Sequence, residues 1–300
     1  MSKKKVLYFV GLFILIVGYS CRPDNGPGVV NDNFDHAAQA VIDEDSLQSF
    51  FTKFYYDDVI DSVKPLVDGA TALINDPRLR VQDVTEDDID YKLYFLIERV
   101  GEPDPVKGFP TPMDSILVKY RGDYMFRTDT LIFFDERKVN PIWLTLNQVI
   151  RGWSYGFGNF KGGRNITNNG PIEFENGGKG VLFIPSGLAY RNLGTLGVPS
   201  SVNLMFHIEL YDIVEDTDHE NDGVPSIMED PDGDGDPRND DTDEDRVPNF
   251  LDFDDDGDGI LTRNEDANGD GDPSNDFSDP ENPTLPDYLN PNISTDHSGD

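Results

Sequence analysis

Near its C-terminus the chain sets carboxylates at alternate positions. Asp254, Asp256 and Asp258 are followed by Gly259 and Ile260, and Glu265 closes a twelve-residue span. Alternating acids, a glycine for the sharp turn, one backbone carbonyl and a closing glutamate meet the needs of a hard cation that takes six to eight oxygen ligands. The expected ligands are Asp254, Asp256 and Asp258, the Ile260 carbonyl and Glu265, and the expected ion is Ca2+. Asp218, Glu220, Asp222, Gly223 and Glu229 make a second loop of this kind. Asp230-Asp232-Asp234-Gly235 and Asp266-Asn268-Asp270-Gly271 are partial starts, and Asp241-Asp243-Asp245 has Arg246 where the glycine should be.

These loops belong to a repeat of 36 residues, with Asp218–Asp230 recurring as Asp254–Asp266. A fixed period implies stacked units. Pro225 falls inside one loop and Pro248 follows another, which excludes paired flanking helices. The segment resembles the calcium-stacked aspartate modules of thrombospondin type 3 repeats. That resemblance implies an irregular module ordered by Ca2+. Low apolar content and mutual repulsion predict disorder without the metal.

A second group of residues suggests different chemistry. Between Ser115 and Val214 five blocks follow in order: Val118-Lys119-Tyr120-Arg121-Gly122, Phe133-Phe134-Asp135, Gln148-Val149-Ile150-Arg151-Gly152-Trp153, Phe183-Ile184-Pro185-Ser186-Gly187-Leu188-Ala189-Tyr190, and Asn203-Leu204-Met205-Phe206-His207-Ile208-Glu209-Leu210. In the last block Leu204, Phe206, Ile208 and Leu210 alternate with Met205, His207 and Glu209, the pattern of a half-buried strand. Together the blocks resemble the FKBP-type peptidyl-prolyl isomerases over about a third of the chain. The resemblance implies an α+β fold in which an antiparallel sheet wraps around a short helix, here starting near Trp153 or Ser154. It also implies a pocket and needs no cofactor. Trp153 would be the floor, Tyr120, Phe134 and Phe206 the walls, and Val149 and Ile150 the edge. Asp135 would lie beside the pocket and Val198 on the flap loop. The Tyr190 hydroxyl and the Ile150 amide would donate to substrate carbonyls.

The chain departs from that family in three places. Arg191 stands where the family has glycine, and a positive φ there would strain it. The wall phenylalanine is missing around Ile142 and Trp143. Residues 161–179 are longer than the family's connection and predict an extra hairpin or loop with Ile172 and Phe174 as its apolar residues. These departures leave open a non-catalytic binding or adhesion module with the acidic repeats as a spacer.

The remaining elements say how the site is carried. Lys3, Lys4 and Lys5 precede an apolar run from Val6 to Val17 and then Gly18-Tyr19-Ser20-Cys21. This reads as a signal peptide over residues 1–20, too short to be a comfortable membrane span. Cys21 is the only cysteine, so no internal disulfide can form, and its place resembles a bacterial lipoprotein lipidation site, although Gly18 replaces the usual aliphatic residue. Residues 21–35 form a Pro/Gly/Asn-rich tether. A lead-in spans 36–90, with a helix predicted over 43–63 from Leu47, Phe50, Phe51, Phe54, Tyr55 and Val59, capped by Asp43 or Asp45. Residues 66–90 carry no readable pattern. The isomerase-like domain covers 91–215, its first strand at 91–100, the repeats 216–290 and a tail 291–300.

The net charge of -34 is concentrated: 29 of the 58 acidic residues but 3 of the 24 basic ones lie from Asp216 to Asp300. Such a chain repels nucleic acid and anionic surfaces and suits cations. His36, His207, His219 and His297 have no metal-site spacing, and no nucleotide-binding glycine loop occurs. The expected protein is a lipid-anchored envelope isomerase acting on proline-containing segments of exported proteins. The sequence assigns no oligomeric state.

Overall fold

The computed structural model describes residues 33–299. The expected signal peptide, Cys21 and most of the tether lie outside the described residues. Ten strands and two helices follow in the order α1 (His36–Lys53), β1 (Phe54–Asp57), β2 (Ser62–Pro65), β3 (Leu79–Glu86), β4 (Ile89–Arg99), β5 (Ser115–Phe126), β6 (Thr130–Thr145), α2 (Arg151–Gly156), β7 (Arg164–Asn165), β8 (Phe174–Glu175), β9 (Gly178–Ile184) and β10 (Leu204–Val214). Six of the strands form one antiparallel sheet in the order β3-β4-β9-β10-β5-β6.

The alternation along β10 explains the layering. Leu204, Phe206, Ile208 and Leu210 face inward onto α2 and the turn after it, where Trp153 and Phe157 complete a core with Leu93, Phe95, Ile116, Val118 and Leu182. Met205 faces the other way, into a second core with Tyr94, Leu96, Val181 and Phe183. Strands with two apolar faces need cover on both. The second cover is α1, which buries Leu47, Phe50 and Phe51 against the sheet. The short helix at the sheet's centre agrees with expectation and starts at Arg151.

The first helix differs from the expected 43–63. It starts at His36, capped by Asp35, whose carboxylate accepts from the Ala38 amide at 2.8 Å. Asp45 is exposed, and Asp43 lies buried mid-helix, accepting from the Ser186 amide at 2.7 Å. The helix stops at Lys53 because the apolar period changes from 3.6 to 2: Phe54 and Tyr56 are buried in β1 with Tyr55 half-buried between them. Val59, counted in the stripe, sits in the β1–β2 turn, 91% exposed. Within the unassigned 66–90 stretch, β3 forms an edge of the sheet, so the sheet begins at Leu79, before the expected first strand.

The long 161–179 connection makes the small β7–β8 hairpin, and Phe174 packs on Tyr211 with ring centroids 5.5 Å apart. Ile172 is exposed. Residues 216–299 contain single 3-10 turns but no α-helix or strand. Their small core joins Val224 of the first repeat to Tyr288 and Leu289 of the second. Asp114 anchors this unit to the start of β5 by accepting from the Thr217 amide at 3.3 Å. Among the described residues no helix is long and apolar enough to cross a membrane.

Candidate active site and acidic loops

At one end of the inner core the sheet opens into a cavity of about 730 Å³, within the size range of small-molecule and peptide sites. Tyr120 comes from β5, Phe134 and Asp135 from β6, Val149 and Ile150 from the turn before α2, Trp153 from α2, Tyr190 from the loop after β9, and Phe206 from β10. All eight line this cavity. Trp153 is nearly fully buried and meets Tyr120 and Phe206 edge-on, each at 5.0 Å between centroids. Phe134 meets Phe206 at 5.6 Å. Edge-to-face packing of this kind fixes ring orientation. Gly122 lets it happen, since a Cβ there would lie 2.7 Å from both the Phe134 and Phe206 rings.

The polar groups are few and placed. The Tyr120 hydroxyl donates to Asp135 Oδ2 at 2.6 Å. Burial, and then that carboxylate, push the Tyr120 phenol upward. Burial, with Asp135 nearby, does the same to Tyr190, so its hydroxyl remains a donor at neutral pH. Asp43 ties α1 beneath the turn that leads to Tyr190 through its bond to Ser186. The Ser186 carbonyl in turn accepts from the Ala189 and Arg191 amides at 3.0 and 2.9 Å.

Val198 is buried in the core and does not line the cavity. Ile142 packs on the core and Trp143 is about half exposed; neither lines the cavity, whereas Leu144, two residues on from Ile142, does. Arg191 does adopt positive φ, +53°, and its guanidinium pairs with Asp87. No residue of 161–179 lines the cavity.

Other wall residues lie outside the five blocks or were given no role within them. Glu86 and Asp87 arrive from β3 and its turn, a strand that had not been read. Arg238 arrives from the acidic repeats. Arg151 and Gln148 lie inside a recognised block, flanking its apolar residues.

The acidic loops repeat one backbone turn. Asp218 accepts from the amides of Asn221, Asp222 and Gly223, and Asp254 from that of Gly259. Gly223 and Gly259 take φ of +103° and +95°, values that favour glycine. Asp218, Glu220 and Asp222 bring carboxylate oxygens within 4.8 Å of one another, as do Asp254, Asp256 and Asp258. The Ile260 amide donates to Asp258 at 2.8 Å. Glu229 and Glu265, the closing residues, are buried, and neither carboxylate oxygen of either has a hydrogen-bond partner. Burial followed by neighbouring carboxylates pushes Glu265 up to about 9 and Asp256 to about 7. Burial and then the Asp222 charge raise Glu220 well above the ordinary range, and burial followed by the charges of Glu220, Asp222 and Asp255 does the same to Glu229. Asp255 was not among the expected ligands. It reaches across from the second repeat to within 4.8 Å of Asp222 and Glu229. The twelve-residue template gives its position no ligand, so only the packing of one repeat on the other reveals it.

Residues 107–211 match the family model described as FKBP-type peptidyl-prolyl cis-trans isomerase, and residues 219–292 match one described as BamM C-terminal. The FKBP-type peptidyl-prolyl cis-trans isomerase FkpA of Buchnera aphidicola subsp. Acyrthosiphon pisum is 32% identical over 124 residues, 41% of this chain and 42% of that one. FkpA of Escherichia coli K12 is 31% identical over 106 residues, 35% of this chain and 33% of that one. The chain therefore spans under half the length of these two relatives. The FK506-binding protein of Neisseria meningitidis serogroup A is 37% identical over 102 residues, 34% of this chain but 81% of that one. With 81% of the Neisseria relative matched at 37% identity, and all eight expected pocket residues inside residues 107–211, the chain belongs to the FKBP-type peptidyl-prolyl cis-trans isomerase family.

Proposed function

We propose that this protein catalyses cis–trans isomerisation of prolyl bonds in exported proteins, held at a bacterial envelope by lipid on Cys21 and carrying calcium in its acidic repeats. Rotation about the prolyl bond is slow because amide resonance puts about 18–20 kcal/mol in its way. The twisted transition state has lost that conjugation. An apolar cavity with fixed donors favours it over the planar, solvated ground state, and no nucleophile is required. The single observation that carries this reading is the cavity whose floor is Trp153, walled by Tyr120, Phe134 and Phe206 at edge-on contact. The proline ring would sit on Trp153, with the Tyr190 hydroxyl and the Ile150 amide binding substrate carbonyls. Tyr190→Phe should lower kcat/KM on a prolyl tetrapeptide about tenfold, the scale of one lost hydrogen bond. An unchanged value would remove Tyr190 from the site.

The acidic loops fit calcium by their chemistry. Buried carboxylate oxygens without partners at Glu220, Asp222, Glu229, Asp255, Asp256, Asp258 and Glu265 are costly unless a cation satisfies them. Asp218, Glu220, Asp222 and Glu229, with Asp255, would hold one ion. Asp254, Asp256, Asp258, the Ile260 carbonyl and Glu265 would hold another. Equilibrium dialysis of the full chain against calcium checks this, and no uptake would refute it. Lipid on Cys21 rests on the sequence, and its test is metabolic palmitate labelling lost in Cys21→Ala.

One observation favours a second reading, a binding module without turnover. Arg191 keeps a left-handed backbone and an ion pair with Asp87 at the cavity rim, where the family has glycine. Peptide binding without acceleration would select it.

A further inference from the structure

Arg238 belongs to the acidic repeats by sequence and to the prolyl cavity by position. Its guanidinium reaches Glu86 through both terminal nitrogens, Nη1 to Oε1 and Nη2 to Oε2, each at 3.3 Å. Glu86 also pairs with Arg151 at 3.2 Å and accepts from the Tyr155 hydroxyl at 2.8 Å. Glu86, Arg151 and Arg238 all line the cavity. One carboxylate at the end of β3 therefore joins the isomerase wall to the repeat. Behind it, residues 235–238 press on Pro112, Met113 and Tyr155, leaving a crevice of only about 10 Å³.

The loop that carries Arg238 is built around carboxylates. Asp230 accepts from the amides of Gly233, Asp234 and Gly235 at 2.9, 3.1 and 2.8 Å. Asp230, Asp232 and Asp234 bring oxygens within 4.8 Å of one another. Asp240 closes the loop. It is 5% exposed, it accepts from the Asp232 amide, it feels the charges of Asp232, Asp230 and Asp234, and its Oδ2 has no partner. A buried, unpartnered carboxylate oxygen beside a turn that carries three more carboxylates marks a place for a cation. The second repeat has the same closure, with Asp276 accepting from the Asn268 amide at 3.1 Å and its Oδ2 unpartnered. At the position equivalent to Arg238, however, the second repeat has Ser274, whose amide and hydroxyl donate to Asp272 of its own turn. The arginine occurs in the repeat that touches the cavity.

We propose that a divalent cation held by Asp230, Asp232, Asp234 and Asp240 sets Arg238 in the cavity wall, so that cation occupancy governs how well the isomerase site holds prolyl substrate. This rests on the reading of the cavity as a prolyl site. Arg238 is held on Glu86 and also on Asp236 of its own loop. Without the cation the four carboxylates repel one another and loosen the loop that carries Asp236 and Arg238. With it the loop is neutralised and its backbone fixed, which keeps Arg238 on Glu86. Linkage then works in both directions, so bound substrate tightens the cation.

The test uses the full chain, calcium alone as the probe, and a prolyl tetrapeptide. Peptide Kd is measured by calorimetry, kcat and KM by turnover, and calcium binding by titration, each in chelator and in saturating calcium. For the wild type, calcium should lower peptide Kd and KM about tenfold with little change in kcat, and peptide should tighten calcium by the same factor. Asp240→Asn should bind less calcium and stay at the weak peptide Kd throughout. Arg238→Ala should bind calcium yet lose the response, and Arg238→Lys should recover part of it. Asp276→Asn should keep it. A wild-type response in Arg238→Ala, or undiminished calcium binding in Asp240→Asn, would overturn the coupling. Turnover indifferent to calcium would also overturn it while leaving the isomerase reading intact. A calcium- and Arg238-dependent peptide Kd without turnover would sustain the coupling and discard the isomerase reading.

Discussion

Replacing Glu229 by glutamine should have opposite effects on stability with and without calcium. Asp222, Glu229 and Asp255 hold carboxylate oxygens within 4.8 Å of one another, all three buried. At an effective dielectric of about 20, two charges at that separation repel by about 3.5 kcal/mol. Glu229 takes part in two of the three pairs, so its charge carries about 7 kcal/mol of repulsion when no cation is present. Proton uptake and splaying of the loops relieve much of that, so at least about 1 kcal/mol should be recovered in the variant. In chelator, Glu229→Gln should therefore melt at a higher temperature than the wild type. In saturating calcium the order should reverse, because a closing ligand and its charge are gone; calcium affinity should fall at least about tenfold. Calorimetric melts of both proteins in both buffers decide the matter. A variant less stable than the wild type in chelator as well as in calcium would refute the reasoning, because that is the behaviour of an ordinary buried polar residue. Unchanged melts in calcium and chelator would refute it too.

Phe50→Ala should cost about 3–5 kcal/mol in urea unfolding, because Phe50 is fully buried and stacks on Phe54 at 4.0 Å. Because α1 also carries Asp43 to Ser186, amide exchange at 186–190 should quicken in the same variant, and protection equal to the wild type would break that link. His207 gives a pH dependence. Burial pulls its imidazole down to about 4 from an ordinary 6.5. The unfolded chain then takes up a proton that the folded one refuses. The stability this group supports is complete above pH 6.5 and is lost as pH falls from 6.5 towards 4, by up to about 3 kcal/mol. His207→Gln should remove that part of the slope when urea unfolding is followed from pH 7 to 4; identical slopes would contradict the burial argument.

Much of the site was legible because its residues sit in contiguous blocks. The alternation of β10 and the turn before α2 place Phe206, Val149, Ile150 and Trp153 with little help from distant contacts. Glu86, Asp87 and Arg238 were not legible, because each reaches the cavity through packing between segments far apart in the chain. Asp255 is the same case within the repeats. The first helix was misread where Phe54, Tyr55 and Tyr56 continue the apolar character while the backbone changes period. Apolar content alone does not separate a helix's last turn from a strand's first residues. The strand at 79–86 was missed because its exposed edge leaves Arg80, Gln82 and Asp83 among its apolar residues and dilutes the alternation.

The most direct measurement is proline-limited refolding of a model substrate in the presence of the full chain, beside Trp153→Ala. The wild type should speed the slow phase, and the variant, shown to be folded by its circular dichroism, should leave it at the uncatalysed rate of tens to hundreds of seconds. Equal acceleration by both would take the chemistry away from the Trp153 cavity, and no acceleration by a folded wild type would contradict the isomerase assignment itself.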